Sequence, residues 1–117
     1  MQKDDLILLG HMLEMAEKAL SKVQGKTKED FDQDENLRLA LAHLLQIIGD
    51  AANHVSKEFQ QSHPEIPWTD IIGFRHRVVH DYLRIDQDVI WETTTQEMKP
   101  LIKSLKLLVP PESQDQS

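Results

Sequence analysis

The chain has 117 residues, with 13 lysines and arginines against 20 aspartates and glutamates and a net charge of −7. That is one domain's worth of chain, too acidic for a surface that coats nucleic acid along its whole length. Its lack of cysteine excludes disulfides, a thiolate metal site and a thiol nucleophile. No apolar run is long enough to span a bilayer, and Asp4 and Asp5 stand where a signal peptide would carry basic residues. The expectation is a soluble cytoplasmic protein with no membrane partner.

Helical spacing dominates from the start. Leu6, Leu9, Leu13, Ala16 and Leu20 step by three and four along one stripe, with Glu14, Glu17 and Lys18 on other faces. This first helix is predicted to stop near Gly25, a C-cap signal. Thr27, followed three residues later by Asp30, then forms a loose capping-box pattern for a short helical turn. A second long helix is predicted over about 34–59, where Leu37, Leu41, Leu44, Ile48, Ala51 and Val55 continue the alternation. Ala40, Leu45 and Ile47 widen its stripe, so it should pack on more than one side. Pro64 and Pro67 break the chain, and Pro67 is suited to open the next helix, where its missing amide costs nothing.

That third helix is predicted from about Trp68 through the stretch GFRHRVVHDYLR, residues 73–84. Asp86 then reads as the N-cap of a last helix, with Asp88 in its first turn favoured by the helix dipole. Ile90, Thr94, Met98, Leu101, Leu105 and Leu108 supply its inner face, and Pro100 should kink it. The polar tail PPESQDQS is expected to be disordered. With no strand pattern and no repeat, the expectation is all-α. Residues 1–109 should form an antiparallel up-and-down bundle of four main helices plus a short helical turn, and residues 110–117 a tail.

The stretch 73–84 stands apart in an acidic chain. It gathers Arg75, Arg77, Arg84, His76 and His80 against a single acid, Asp81. On one continuous helix Arg75 and His80 would lie about 140° apart, so a shared site requires the helix to end or bend near His80, or a second copy to complete it. Four readings fit these residues. Arg75 and Arg77 can be solvated side chains, with Arg77 paired to Asp81 at i+4 and His80 partly buried. His76 and His80 have the spacing that puts two imidazoles on one metal ion, but no third ligand is evident. A DNA-reading helix lacks the surrounding turn-helix signature. The fourth reading is RNA cleavage. There the 2′-OH is the nucleophile, a histidine near neutral pKa moves a proton, and an arginine holds the phosphate as charge builds. Arg75 and His80 are the right pair of types, and His76 or Tyr82 could orient the substrate.

The pattern Arg75, four residues, His80, one residue, Tyr82 resembles the R-x4-H-x-Y signature of HEPN-domain ribonuclease toxins, and His76 fits the polar residue that usually follows the arginine. HPEIPWTDIIGFRHRVVHDYLRIDQDVIWETT is similar to the central and C-terminal region of the HepT-like family, and LLQIIGDAANHVS to its second long helix. The likeness covers roughly positions 3–108. It implies a homodimer with both R-x4-H motifs lining an interfacial cleft. It further implies a metal-independent endoribonuclease without a cofactor, the toxin of a toxin–antitoxin pair. The implied antitoxin is a minimal nucleotidyltransferase of the MNT type, which inactivates the toxin by transferring AMP to the motif tyrosine. Carried over by position, Arg75 and His80 are the catalytic pair, His76 their support and Tyr82 the AMP acceptor, the sole tyrosine of the chain. Arg77 and Arg84 are expected to attract the RNA backbone. Asp81 stands where these proteins commonly carry glycine; its carboxylate can pair with Arg77 or raise the pKa of a nearby histidine, and it repels phosphate. The other function in view is a non-catalytic HEPN dimer that binds a nucleotidyltransferase.

Overall fold

The computed structural model describes residues 3–81 and 84–111, and of residues 3, 79–81, 84 and 85 the backbone only. The first apolar stripe folds as helix α1, Lys3–Val23. Leu9, Leu13 and Ala16 are buried as the spacing predicts, and Met12, Ala19 and Val23 join them. The chain leaves α1 through Gly25, whose φ of 75° is the left-handed value that favours glycine. Thr27 then caps α2, Lys28–Asp32, with both reciprocal bonds of the capping box present: the Thr27 hydroxyl accepts from the Asp30 amide, and the Asp30 carboxylate accepts from the Thr27 amide.

Helix α3, Glu35–His54, is capped by Asp34 and buries Leu37, Leu41, Leu44, Leu45 and Ile48. Burial of each such side chain contributes about 1.5–3 kcal/mol relative to exposure. As its wide stripe predicts, α3 packs on α1 on one side and on later short helices on another. It ends five residues before the expected boundary. Val55 turns extended, and the Ser56 hydroxyl caps a separate helix α4, Lys57–Ser62, by accepting from the Phe59 amide at 3.1 Å. The break is hidden in sequence because Val55 and Phe59, both buried, keep helical spacing across it. A buried carboxylate secures the joint. Asp5, 3% exposed, accepts from the Ser56 amide at 2.9 Å and from its hydroxyl at 2.8 Å, tying the first turn of α1 to the start of α4.

The third main helix of the expectation is not continuous. It forms as α5, Trp68–Ile72, and α6, Phe74–Val78, separated at Gly73, whose amide closes α5 on the Thr69 carbonyl. The chain then leaves helix altogether. Strand β1, Val79–Asp81, pairs antiparallel with β2, Arg84–Ile85, through an irregular register of Val79 with Ile85 and Asp81 with Arg84. Such bulged pairing twists a ribbon sharply. Two strands this short carry no alternation a sequence pattern could reveal, so a small ribbon stands where none was expected. Asp86 caps α7, Gln87–Leu108, as predicted; the helix runs on through Pro100 and buries Ile90, Thr94, Met98, Leu101 and Leu105.

The fold is an all-α bundle with this one ribbon inserted. Helix α1 lies against α3 and α7, while α5 and α6 rest on α3, and α6 also on α7. One core runs through it, from Leu9 and Met12 through Leu41, Leu45 and Ile48 to Phe74, Ile90 and Leu105. No described helix is long and apolar enough to cross a membrane. The sequence tail beyond residue 111 lies outside the described residues.

Candidate active site

The arginine–histidine stretch is built on a hinge that the rest of the fold fixes in place. Pro67 precedes α5 as its cap residue, and Trp68 anchors the start: its ring is buried, and its indole Nε1 donates to the His63 carbonyl at 2.9 Å. At the other end of α5, the Ile71 and Ile72 carbonyls press on Gly49 of α3. A Cβ at position 49 would stand 2.9 Å from the Ile71 oxygen and 3.5 Å from the Ile72 oxygen. Glycine is required there for the close approach, and that approach sets where α6 begins.

On α6, Phe74 and Val78 lie four apart and are 1% and 0% exposed, so one face of this short helix is pinned to the core. The residues between them divide sharply. Arg75 and His76 are exposed, and among the described residues the Arg75 guanidinium has neither a hydrogen-bond nor an ion-pair partner. Two residues on, Arg77 points the other way, as about 200° of helix rotation requires. Its guanidinium donates to both oxygens of Glu97 on α7, at 2.6 and 3.3 Å, and to the Thr93 hydroxyl at 3.1 Å. Asp70 on α5 stands 3.5 Å away, and the guanidinium lies 5.3 Å from the Phe74 ring centre. The hydrogen bond to Glu97 is the main reason that the Arg77 pKa is raised above its ordinary value.

His80 lies in β1, beyond the end of α6. The helical angle that would separate it from Arg75 therefore does not apply; the chain turns from helix to strand between them, the first of the two arrangements that would allow a shared site. The Asp86 amide donates to the Val78 carbonyl at 2.8 Å, closing the ribbon at the point where it leaves α6. Arg84 starts β2, with its backbone opposite that of Asp81. Tyr82 lies outside the described residues, and the His80 and Arg84 side chains are not among those described. Of the predicted site residues, the structure places Arg75 and His76 on the exposed side of α6 and turns Arg77 inward.

A groove of about 270 Å³ runs between α5 and α7 and is lined by Glu65, Asp70, Phe74, Glu97 and Pro100 among others. Its carboxylates make it unsuited to phosphate, so the exposed side of α6 is the better place for an anionic chain. Among the described residues no three His, Asp or Glu side chains are arranged to hold a metal ion. Sequence reading missed Glu97 and Thr93, the partners of Arg77. Their spacing of four on α7 puts them on one face, but nothing in the sequence names the residue they meet.

A family model described as Ribonuclease HepT-like matches residues 12–108. The chain is 37% identical over 98 residues to "Putative RNase TTE0752" of Caldanaerobacter subterraneus subsp. tengcongensis, an alignment covering 84% of this chain and 88% of that one. It is 34% identical over 73 residues to "Probable ribonuclease HepT" of Thermococcus cleftensis, over 62% of this chain and 66% of that protein. With "Putative RNase MJ1380" of Methanocaldococcus jannaschii it shares 23% identity over 107 residues, 92% of this chain and 98% of the other. No solved structure matches.

Proposed function

The chain belongs to the HepT-like ribonuclease family, and on that premise we propose that it is a metal-independent endoribonuclease acting as the toxin of a toxin–antitoxin pair. One observation carries this reading: Arg75 is exposed and unpartnered among the described residues, on a helix that ends two residues before His80. An arginine without a hydrogen-bond or ion-pair partner among the described residues keeps its donors for a ligand.

In this mechanism His80 takes the proton of a ribose 2′-OH, the freed oxygen attacks the adjacent phosphorus, and the bond to the 5′ oxygen breaks. The leaving 5′ oxygen takes a proton from water and the protonated His80 returns its own to solvent, so the products are a 2′,3′-cyclic phosphate and a 5′-hydroxyl. Arg75 stabilises the charge that builds on the phosphate oxygens, and His76 supports the pair from the same exposed helix. RNA supplies the nucleophile, and no cofactor enters. Arg84 adds positive charge near the backbone of the substrate, which makes binding weak and salt-sensitive. Two copies form a homodimer whose cleft presents both motifs. An MNT-type nucleotidyltransferase antitoxin transfers AMP to Tyr82. The added phosphate charge then occupies the arginines and repels RNA by the same rules as phosphorylation.

The test is cleavage of a small-RNA pool by purified protein in EDTA, beside His80→Ala. Cuts ending in 2′,3′-cyclic phosphate are expected from the wild type, with the variant slower by at least about a hundredfold. Activity that needs an added divalent ion would overturn metal independence. Silence from dimeric protein whose Tyr82 is unmodified by mass would leave the adaptor role, a dimer that binds a nucleotidyltransferase without cutting RNA.

A further inference from the structure

Resting on that ribonuclease reading, we propose that Arg77 is a positioning residue: Glu97, Thr93 and Asp70 use it as a clasp that fixes α6 and the start of β1, and it does not touch the RNA. This departs from the expectation that Arg77 attracts the backbone alongside Arg84.

Electrostatics comes first. The guanidinium is held by the two oxygens of Glu97 with Asp70 close by, so one positive charge meets two negative ones and little field is left for a phosphate. To reach RNA it would have to abandon Glu97, whose side chain is only 33% exposed, and an unpaired, half-buried carboxylate is costly. Its direction agrees, since Arg77 faces α7 while Arg75 faces solvent.

Need comes second. Helix α6 has five residues, too few to be stable by its own hydrogen bonds. Phe74 and Val78 hold one side of it to the core, but apolar contacts leave rotation and sliding soft. The fork from Arg77 to Glu97, with a third bond to Thr93 one turn earlier on α7, sets the rotation of α6 about its axis. Arg75 takes its direction from that rotation. Position 77 is also next to last in the helix, three residues before His80, so the clasp fixes the point from which β1 departs. A lysine could reach one carboxylate oxygen but could not fork to both and still meet the hydroxyl.

The decisive comparison is RNA cleavage by the full chain carrying Arg77→Gln, Glu97→Gln, both together, or Arg77→Lys. As a clasp, Arg77→Gln and Glu97→Gln each lower kcat by about ten- to a hundredfold, the size of effect that small misplacement produces. KM and its salt dependence stay near the wild-type values, the double variant is no worse than either single one, and Arg77→Lys recovers only part of kcat. As a phosphate ligand, Arg77→Gln raises KM and reduces the salt slope by about one, while Glu97→Gln frees the arginine and tightens binding. That opposite sign for Glu97→Gln overturns the proposal.

Amide hydrogen exchange of wild type and Glu97→Gln gives a readout independent of catalysis. Faster exchange confined to residues 75–81 supports the clasp, and unchanged exchange there sinks it. If dimeric wild type with unmodified Tyr82 cuts no RNA, the ribonuclease reading fails, and exchange still decides whether the clasp holds the segment.

Discussion

Helices α1, α3 and α7 run for 21, 20 and 22 residues, while residues 68–85 are cut into pieces of five, five, three and two. The long helices carry their own evidence of structure. Each has several turns of internal hydrogen bonds and a stripe that needs only another stripe to bury it. The short pieces have neither, and their positions are borrowed. Gly49 admits α5, Phe74 and Val78 pin α6, and Glu97 turns Arg77 inward. On the proposed function, stability lives in the first region and chemistry in the second, a division that substitutions can separate.

The largest effect should be purely kinetic. Arg75→Ala removes an exposed side chain with no hydrogen-bond or ion-pair partner among the described residues, so urea unfolding should move by no more than about 0.5 kcal/mol. RNA cleavage should nonetheless fall by about a hundredfold or more, the loss typical of removing a preorganised donor. A variant that loses stability in step with activity would put Arg75 among the structural residues and break the division.

The converse belongs to the core. Leu45 on α3 is wholly buried, and Leu45→Ala should cost about 2–5 kcal/mol by urea unfolding. Below the unfolding transition, the folded fraction should cleave at close to the wild-type rate. A loss of kcat as deep as that of Arg75→Ala would mean that the scaffold does more than support the site.

Gly49 is where the two regions meet. In a helix interior, glycine to alanine ordinarily gains up to about 1 kcal/mol. Here the new Cβ would stand 2.9 Å from a backbone carbonyl of α5, which cannot rotate away as a side-chain tip can. Gly49→Ala should therefore destabilise by about 1–3 kcal/mol and, unlike Leu45→Ala, also lower kcat, because α5 and α6 must shift together. A stabilised, fully active variant would show that the close approach is not what places α6.

The same division explains what the sequence could disclose. Leu9, Leu13, Leu41, Ile48 and Met98 were found by spacing alone, and Thr27, Asp34 and Asp86 sit at helix starts because local hydrogen bonds decide those positions. The α3–α4 break was hidden by the helical spacing of Val55 and Phe59. Asp5 could be read only as an acid near the N-terminus, since its partner Ser56 is 51 residues away. In the site, the residue types of Arg75 and His80 and their likeness to the R-x4-H-x-Y signature were legible. The end of the helix before His80 was not, because Val78 and Val79 suit a helix or a strand, and pairing with β2 decides between them. Nor could the inward turn of Arg77 be seen, because it depends on Glu97, twenty residues on.

The smallest effect is also the most specific, because it asks for opposite signs from one substitution at adjacent positions. Thr93 and Thr94 are both fully buried on α7, and about 100° of rotation separates them. Thr93 accepts from Arg77 at 3.1 Å and so faces the borrowed segment. Thr94 continues the stripe of Ile90 and Met98 into the core, where its Oγ1 is buried without a hydrogen-bond partner among the described residues. A hydroxyl left unsatisfied in such a place costs about 1–3 kcal/mol, and valine has nearly the same shape and helix propensity. Thr94→Val should leave cleavage unchanged and stabilise by about 1 kcal/mol. Thr93→Val strips an acceptor from a half-buried guanidinium, and should destabilise by about 1 kcal/mol and loosen α6 enough to lower kcat severalfold. Were both valines to stabilise, Thr93 would contribute nothing to holding Arg77, and the fork to Glu97 would set the rotation of α6 alone.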